Sequence, residues 1–571
     1  MARSTGKNPG RRATAIHAAP LAPGRVRILV AALIALHVVL ATWGAARQSV
    51  TFDENFHLPA GVLEAARGEL RVSAVNPPLV KALAGAAALA AGARVPTEAA
   101  MGDGEQGRVG LAFMRANADR YHPVFFAGRL VNVALSALLA YVVWRWARRL
   151  WGARGGLVAL AFYATAPEAL AHAGVMTMDV PTALGFTSTL FAWQGFVRSG
   201  RWRYLALASF ASGFTFLVRF SAVLLPALLA LFAVIEVAAG RSRAPKRVGL
   251  GFAVLLVSTL LLLNAGYLFR TSFEPLRELP LQSRPWRALA ASAPDLRLPL
   301  PDTYLMGFDR QALDSETGHT RCFLLGTIHD VAPMSYFPIA FLAKWPLGFL
   351  AALALLAVFT VRRGRAARRM MWPVLTATLF LASLVFVGRM GVGIRYALPL
   401  VPLLAISLGA LGRERGFGSP RWRQAAIALA CVQSLEMAAN APWHLSFYNA
   451  LAGGAARGQW IVNDSNVDWG QGLIALREEL AARGISKVHL AYHGTTDPAI
   501  YGIDYVPYLG GQPGPESDWI AISSYYFVGL SQRMTTSQGR TSDAVMLDFR
   551  PLWARQPEAR PAGCMLLFKL R

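Results

Sequence analysis

Charge is scarce in this sequence, and negative charge is scarcer still. Of 571 residues only 16% are charged, and 32 Asp and Glu stand against 57 Lys and Arg. A soluble chain of this length usually covers its surface with more charge, so a composition that is 54% hydrophobic favours a membrane protein. Cysteine is nearly absent: Cys322, Cys431 and Cys564 are too few for a disulfide framework or a zinc site. Cys431 falls inside an apolar run and reads as a small core residue. Cys322 and Cys564 both fall in segments expected outside the membrane and could pair, although a chain of this size does not need the bridge. There is no convincing internal repeat, and no set of charges near the middle of an apolar run, as a transporter or lipid flippase would favour.

What is abundant is long apolar sequence. Runs at 27–46, 124–144, 155–171, 176–197, 204–219, 221–239, 248–268, 335–360, 371–388, 395–412 and 424–440 are candidate spans, which predicts about eleven crossings. The first is long for the apolar part of a cleaved signal peptide, although Gly44-Ala45-Ala46 would suit a peptidase. Threading the runs alternately puts the short segments 145–154, 198–203, 241–247, 362–369 and 413–423 on one side. All are Arg-rich, so that side is cytoplasmic by the positive-inside rule. The net charge of +25 is thus mainly a topology signal plus a basic N-terminal tail, 1–24, near anionic lipid heads, and nucleic-acid binding is not expected.

The domain organisation follows. A polytopic helical domain over 25–440 carries outer loops at 47–123 and 269–334, and 441–571 forms a small extracytoplasmic α/β domain. In that domain 460–463, 487–492 and 519–523 read as strands and 473–483 as a helix. Segment 47–92 reads as two short interfacial helices joined by Asn76-Pro77-Pro78.

Chemistry-bearing residues gather on the outer side. Asp53 and Glu54 follow the first span, and a helix there puts Asp53 and His57 on one face. A helix cap would explain Asp53 equally well. Lys81 follows the Pro-Pro turn, as a functional cation or a snorkelling one. Asp179, two residues before Pro181, is either a helix start or a buried outer acid facing Asp53. Lys344 and Arg395 lie at the outer boundary against the charge trend, and each needs an anion, either a lipid phosphate or an outer acid. Asp468 and Gln471 read as a capping box for the helix at 473 rather than a nucleotide-sugar motif. Asp53, His57, His172 and Asp179 could ligate a divalent cation if they converged, but no close ligand spacing supports a metal site.

Taken in order, Asp53-Glu54, Asn76-Pro77-Pro78, His122-Pro123 through Arg129, Asp179, Tyr336-Phe337-Pro338 with Lys344, Gly393 through Pro399, and the 464–471 segment resemble the GT-C-fold glycosyltransferases. The likeness is to the protein O-mannosyltransferase and aminoarabinose transferase superfamily, in its bacterial members with an outer C-terminal domain. The resemblance implies a polyprenyl-phosphate sugar donor, a hydroxyl acceptor (protein, lipid or glycan) and inversion at the anomeric carbon, at the outer face of the cytoplasmic membrane. It implies Asp53 as general base, with Glu54 and Asp179 also catalytic. Lys81, Lys344 and Arg395 would bind the donor phosphate, and His57, Tyr336 and Tyr396 would orient acceptor or sugar. Asn76 stands where some relatives carry His or Lys. A polysaccharide ligase would use much the same chemistry.

Overall fold

The computed structural model describes residues 21–570 except 74, 103–104, 318–320, 363, 387–390, 414–419, 509–510, 532, 536–540 and 544–547. Most of the expected N-terminal tail therefore lies outside the described residues, as do parts of the basic segments at 362–369 and 413–423.

Among the described residues, each apolar run picked out above falls largely on helix, some of them broken within the run. Among the described residues, four helices could cross a membrane by length and composition alone, Pro23–Arg47 and Pro245–Gly266 among them. A fifth span results if Tyr336–Lys344 and the helix that begins at Leu347 count as one, bent by 112°. Pro346 sits at that bend, where it removes an amide donor and clashes with the preceding turn. The remaining helices are shorter, broken or less apolar, and some still turn apolar side chains outward, among them Phe210 of Trp202–Phe216 and Leu435 of Pro420–Ala439. Helix Asp179–Ser199 is buried along nearly its whole length. The chain is a multi-pass membrane protein.

The central strut is Tyr121–Ala164, which packs against Pro23–Arg47, Leu79–Ala90, Asp179–Ser199 and Leu400–Leu408. Segment 145–154, expected as a loop, continues this helix, broken only where Gly152 takes φ 86°. Two further helices, Glu54–Arg67 and Leu79–Ala90, cross closely on one side of the strut. A Cβ at Gly85 would strike the Gly61 backbone, so the pair needs glycine at the crossing.

In the C-terminal region a four-stranded sheet runs in the order Tyr505–Pro507, Val488–Ala491, Trp519–Ser523, Met565–Lys569. The first three strands are parallel and the last antiparallel, with Ala521 opposite Leu567. One hydrophobic cluster runs from Val26 through Trp193 and Leu400 into Leu567, so this region shares its core with the bundle. Two expected strands and the helix appear close to their expected positions, but 460–463 is not a strand. Val462 makes only an isolated bridge to Leu324, and the Asn463 carboxamide accepts from Asp464 N at 2.7 Å, turning the chain into a 3-10 turn. The capping box is also absent. Helix Leu473–Ala482 receives its cap from the other end of the chain, where Ser49 Oγ accepts from Leu473 N at 3.0 Å. Cys322 and Cys564 are buried free thiols rather than a pair, and Cys431 lies on an exposed helix face rather than in the core.

Candidate functional site

The turn after the first helix is clamped from two sides. Arg129, fully buried, donates to Glu54 Oε1 at 2.8 Å and Oε2 at 2.6 Å. The same guanidinium donates to the carbonyls of Ala45, Gln48 and Ser49. Glu54 also accepts from the amides of Met176 and Thr51 and from the Thr51 hydroxyl. Burial pushes the Glu54 carboxyl up, but Arg129 outweighs it and holds the group ionised below its usual value. From the C-terminal region, Trp469 O accepts from Phe52 N at 2.8 Å, and Gly470 O accepts from Ser49 Oγ at 2.8 Å. Thr495 Oγ1 donates to Phe52 O at 3.3 Å.

This clamp presents Asp53 to a cavity of about 260 Å³. Asp53 stands at the N-terminus of helix Glu54–Arg67 but makes no side-chain cap bond. Its carboxylate instead accepts from Arg395 Nη1 at 2.6 Å. A quarter of the Asp53 side chain and 12% of the Arg395 side chain remain exposed. Burial pushes the Asp53 carboxyl up; the Arg395 guanidinium, helped by His57 and Arg219, more than reverses this and holds it below the usual aspartate value. His57, one turn along, is lowered to about 4 chiefly by burial, so its ring is neutral at pH 7.

A second pair completes the cavity. Arg219 Nη1 lies 3.3 Å from Asp179 Oδ1, and Thr177 Oγ1 donates to Asp179 Oδ2 at 2.9 Å. Asn132 Nδ2 pins the turn before Asp179 by donating to Val175 O and Thr177 O. The Tyr396 ring lies between the two cations, 5.0 Å from the Arg219 guanidinium and 5.4 Å from that of Arg395, which also covers the Trp469 ring at 4.1 Å. The 464–466 turn braces this arm: Asn466 Oδ1 accepts from Ile394 N at 2.9 Å, and Ser465 Oγ donates to Val392 O. Gly393, at φ 153°, has no room for a Cβ against Ser465 Oγ. Arg310, Gln311 and Asp314, from helix Asp302–Thr317, close the far wall with Asn76 and Gln106.

Of the residues singled out in the sequence, Asp53, His57, Asp179, Arg395, Tyr396 and Asn76 line one cavity. The others do not. Lys81 is buried between the two crossing helices, its Nζ 2.8 Å from Glu64 Oε1 and 2.6 Å from Ser73 O. Lys344 is buried as well, donating to Leu445 O and Asn466 O and lying 3.3 Å from Glu168 Oε1. Both side chains are only 1% exposed, leaving no face for a lipid phosphate. Tyr336 is fully buried, its hydroxyl accepting from Asn466 Nδ2 at 2.9 Å, so it supports the Arg395 arm from behind. Glu54 has both oxygens occupied. His172 lies 3.5 Å from Glu168, away from the cavity. Among the described residues no group of three or more His, Cys, Asp or Glu side chains is arranged to hold a metal ion. Sequence reading missed Arg219, although it ends an apolar run on the side expected to be outer, the same signal that marks Arg395.

Residues 121–263 match the family model described as dolichyl-phosphate-mannose-protein mannosyltransferase. That stretch contains Arg129, Asp179 and Arg219. No curated protein matches the chain. Among solved structures the chain is similar to ArnT from Cupriavidus metallidurans bound to undecaprenyl phosphate. The identity is 18%, 84% of this chain and 75% of that one are covered, and the TM-score is 0.45. It is also similar to the Archaeoglobus fulgidus oligosaccharyltransferase tethered with an acceptor peptide, at 11% identity, 92% and 75% coverage and a TM-score of 0.48.

Proposed function

We propose that the chain is a GT-C-type membrane glycosyltransferase that moves a sugar from a polyprenyl phosphate to a hydroxyl acceptor at the Asp53 cavity, on the extracytoplasmic side. The observation that carries the reading is the pairing of two carboxylates with two guanidiniums around one water-accessible cavity, Asp53 with Arg395 and Asp179 with Arg219. The family match over 121–263 supports the donor class, since that family is described by a polyprenyl-phosphate sugar.

The chemistry requires two services. An acceptor oxygen attacks the anomeric carbon while the bond from that carbon to the phosphate oxygen breaks, inverting the centre. The acceptor proton passes to a carboxylate within hydrogen-bond reach, and the partly exposed Asp53 at the cavity supports its assignment to that role. Negative charge grows on the departing phosphate and is stabilised by fixed cations, a role that the position of Arg395 and Arg219 at the cavity wall supports. Asp179, held by Thr177 and Arg219, is positioned to bind sugar or acceptor hydroxyls. His57, neutral at pH 7, serves as a hydrogen-bonding neighbour rather than a second cation. Glu54, Lys81, Lys344 and Tyr336 hold the architecture.

The test compares cell-envelope glycans and glycoproteins of a deletion strain with its parent by mass spectrometry. The expected result is loss of one sugar substituent, restored by the wild-type gene and not by Asp53→Asn. Full restoration by Asp53→Asn would remove Asp53 from the chemistry, and an unchanged sugar profile would remove the transferase reading.

A further inference from the structure

Helix Asp179–Ser199 begins at the cavity just described and, at about 1.5 Å per residue, ends roughly 30 Å away. At that far end three basic segments meet around a second cavity, of about 800 Å³. Arg145, Arg148 and Arg149 come from the central strut, Arg198 and Arg201 from the turn into helix Trp202–Phe216, and Arg241 and Arg243 from the approach to helix Pro245–Gly266. The segments are tied together, since Ser242 Oγ donates to Val197 O at 2.7 Å and Arg243 N donates to Arg198 O at 3.4 Å.

The charge in this basin is not balanced from within. Its ion-pairing carboxylate is Glu236, and that group is already saturated. It accepts from Arg198 through two bonds of 2.9 Å, from Trp372 Nε1 at 2.7 Å, and lies 3.3 Å from Arg241. Arg145, Arg148, Arg149, Arg201 and Arg243 meet no carboxylate among the described residues. Aromatic rings hold several of them instead. Arg148 covers Trp144 at 5.2 Å, and Arg149 covers Tyr204 at 5.1 Å and Phe191 at 5.9 Å. Ring contacts fix a guanidinium without neutralising it, so the forks stay available and little ordering remains to be done on binding. Beside the basin the surface turns apolar, with Trp202 48%, Phe210 64% and Leu250 59% exposed on the two helices that leave it.

We propose that this basin is a binding site for the headgroup of an anionic phospholipid carrying more than one phosphate, whose acyl chains lie along the apolar faces of those two helices. Five unpaired guanidiniums exceed what a single phosphodiester would neutralise. Arginine forks match phosphate oxygens in pairs, and the adjoining apolar surface suits a lipid better than a soluble phosphate. The site is separate from the Asp53 cavity and does not depend on the transferase reading.

The full chain, reconstituted in bilayers of phosphatidylcholine, phosphatidylglycerol and cardiolipin and then re-extracted in detergent, should retain cardiolipin over both other lipids by native mass spectrometry. Each arginine removed should weaken retention about fivefold, the usual worth of one such charge near anionic lipid. Arg149→Ala/Arg201→Ala/Arg243→Ala should therefore lose about a hundredfold, with sugar transfer unchanged. Arg243→Gln alone, at the exposed rim, should lose about fivefold and keeps the test open if the triple variant does not fold. Equal retention of cardiolipin by wild type and the arginine variants overturns the proposal. So does inorganic pyrophosphate raising the melting temperature as much as cardiolipin does, because the ligand would then be soluble.

Discussion

Replacing Asp53 by Asn and Glu54 by Gln separates catalysis from folding at two adjacent carboxylates. Asp53→Asn keeps the side-chain size, and the Asp53 carboxylate is partly exposed with one cationic partner at 2.6 Å. Arg395 loses its anion but keeps the Trp469 and Tyr396 rings and a solvent-facing edge, so the fold should survive. Loss of a general base costs about 100- to 10,000-fold in rate, or roughly 3–5 kcal/mol of barrier at about 1.4 kcal/mol per decade. Glu54→Gln does the reverse. Both Glu54 oxygens accept, from Arg129, Met176 N and Thr51, and a Gln amide would direct two N–H groups at donors. Arg129, fully buried, would be left with an uncompensated charge, which costs about 3–5 kcal/mol. The assay pairs thermal unfolding and size-exclusion profile in detergent with single-turnover transfer on the folded fraction. Asp53→Asn should be folded and inert, and Glu54→Gln poorly folded with activity in what survives. Turnover of Asp53→Asn within a factor of about 3 of wild type would refute the assignment, being far below a general base's contribution. A lower melting temperature for Asp53→Asn than for Glu54→Gln would refute the structural half.

Arg219→Ala and Arg395→Ala should each raise the donor KM roughly 10- to 100-fold, the worth of a charge-assisted hydrogen bond, with a smaller effect on the acceptor. An unchanged donor KM in both removes the phosphate-binding role. Lys344→Ala should lower thermal stability by leaving Glu168 buried without its cation, while the folded fraction keeps its donor KM; a selective loss of donor binding would return Lys344 to the site. Asp468 is raised to about 7 by burial, so the folded state keeps a proton that the unfolded chain releases near the ordinary aspartate value of 3.8. Its stabilising contribution is therefore full below about pH 4 and is lost as pH rises through about 7. Asp468→Asn should flatten the fall of melting temperature across that window, and an unaltered slope would exclude Asp468 as its source.

The helices were legible because an apolar run long enough to span a membrane leaves few alternatives for its backbone groups. The outer cluster was legible because acids and cations are costly at a membrane boundary, and Asp53, Asp179, Arg395 and Tyr396 do line one cavity. That same cost argument misassigned Lys81 and Lys344. It shows that a cation needs an anion but not which one, and their partners Glu64 and Glu168 come from other helices that only tertiary packing brings near. Likewise Asp53 looked like a cap and Asp468 like half of a capping box. Ser49 supplies the helix cap at Leu473 from far upstream, a contact no local pattern encodes. Arg310 and Gln311 sit on a helix whose apolar face, with Tyr304 and Phe308, packs on residues far away in sequence, so no local pattern places them at the cavity.

Arg395 joins the two halves of the proposed chemistry. A carboxylate that abstracts a proton gains from being basic, yet Arg395 at 2.6 Å holds Asp53 below its usual range. A phosphate is a stronger partner for a guanidinium than one carboxylate oxygen, because it offers a matched pair of acceptors. On the proposed chemistry, a donor phosphate that draws Arg395 toward itself would take from Asp53 the cation that depresses it and leave the burial that raises it, so its basicity would climb. On the proposed chemistry the base would thus be strengthened by the arrival of the group it must act beside and would stay weak without it. The Trp469 ring, held against the Asp53 turn through Phe52 N, keeps Arg395 on a short path between the two anions. On this reading the C-terminal region reaches into the cavity to hold Arg395 beside Asp53, through the Trp469 ring and the bond from Phe52 N to Trp469 O.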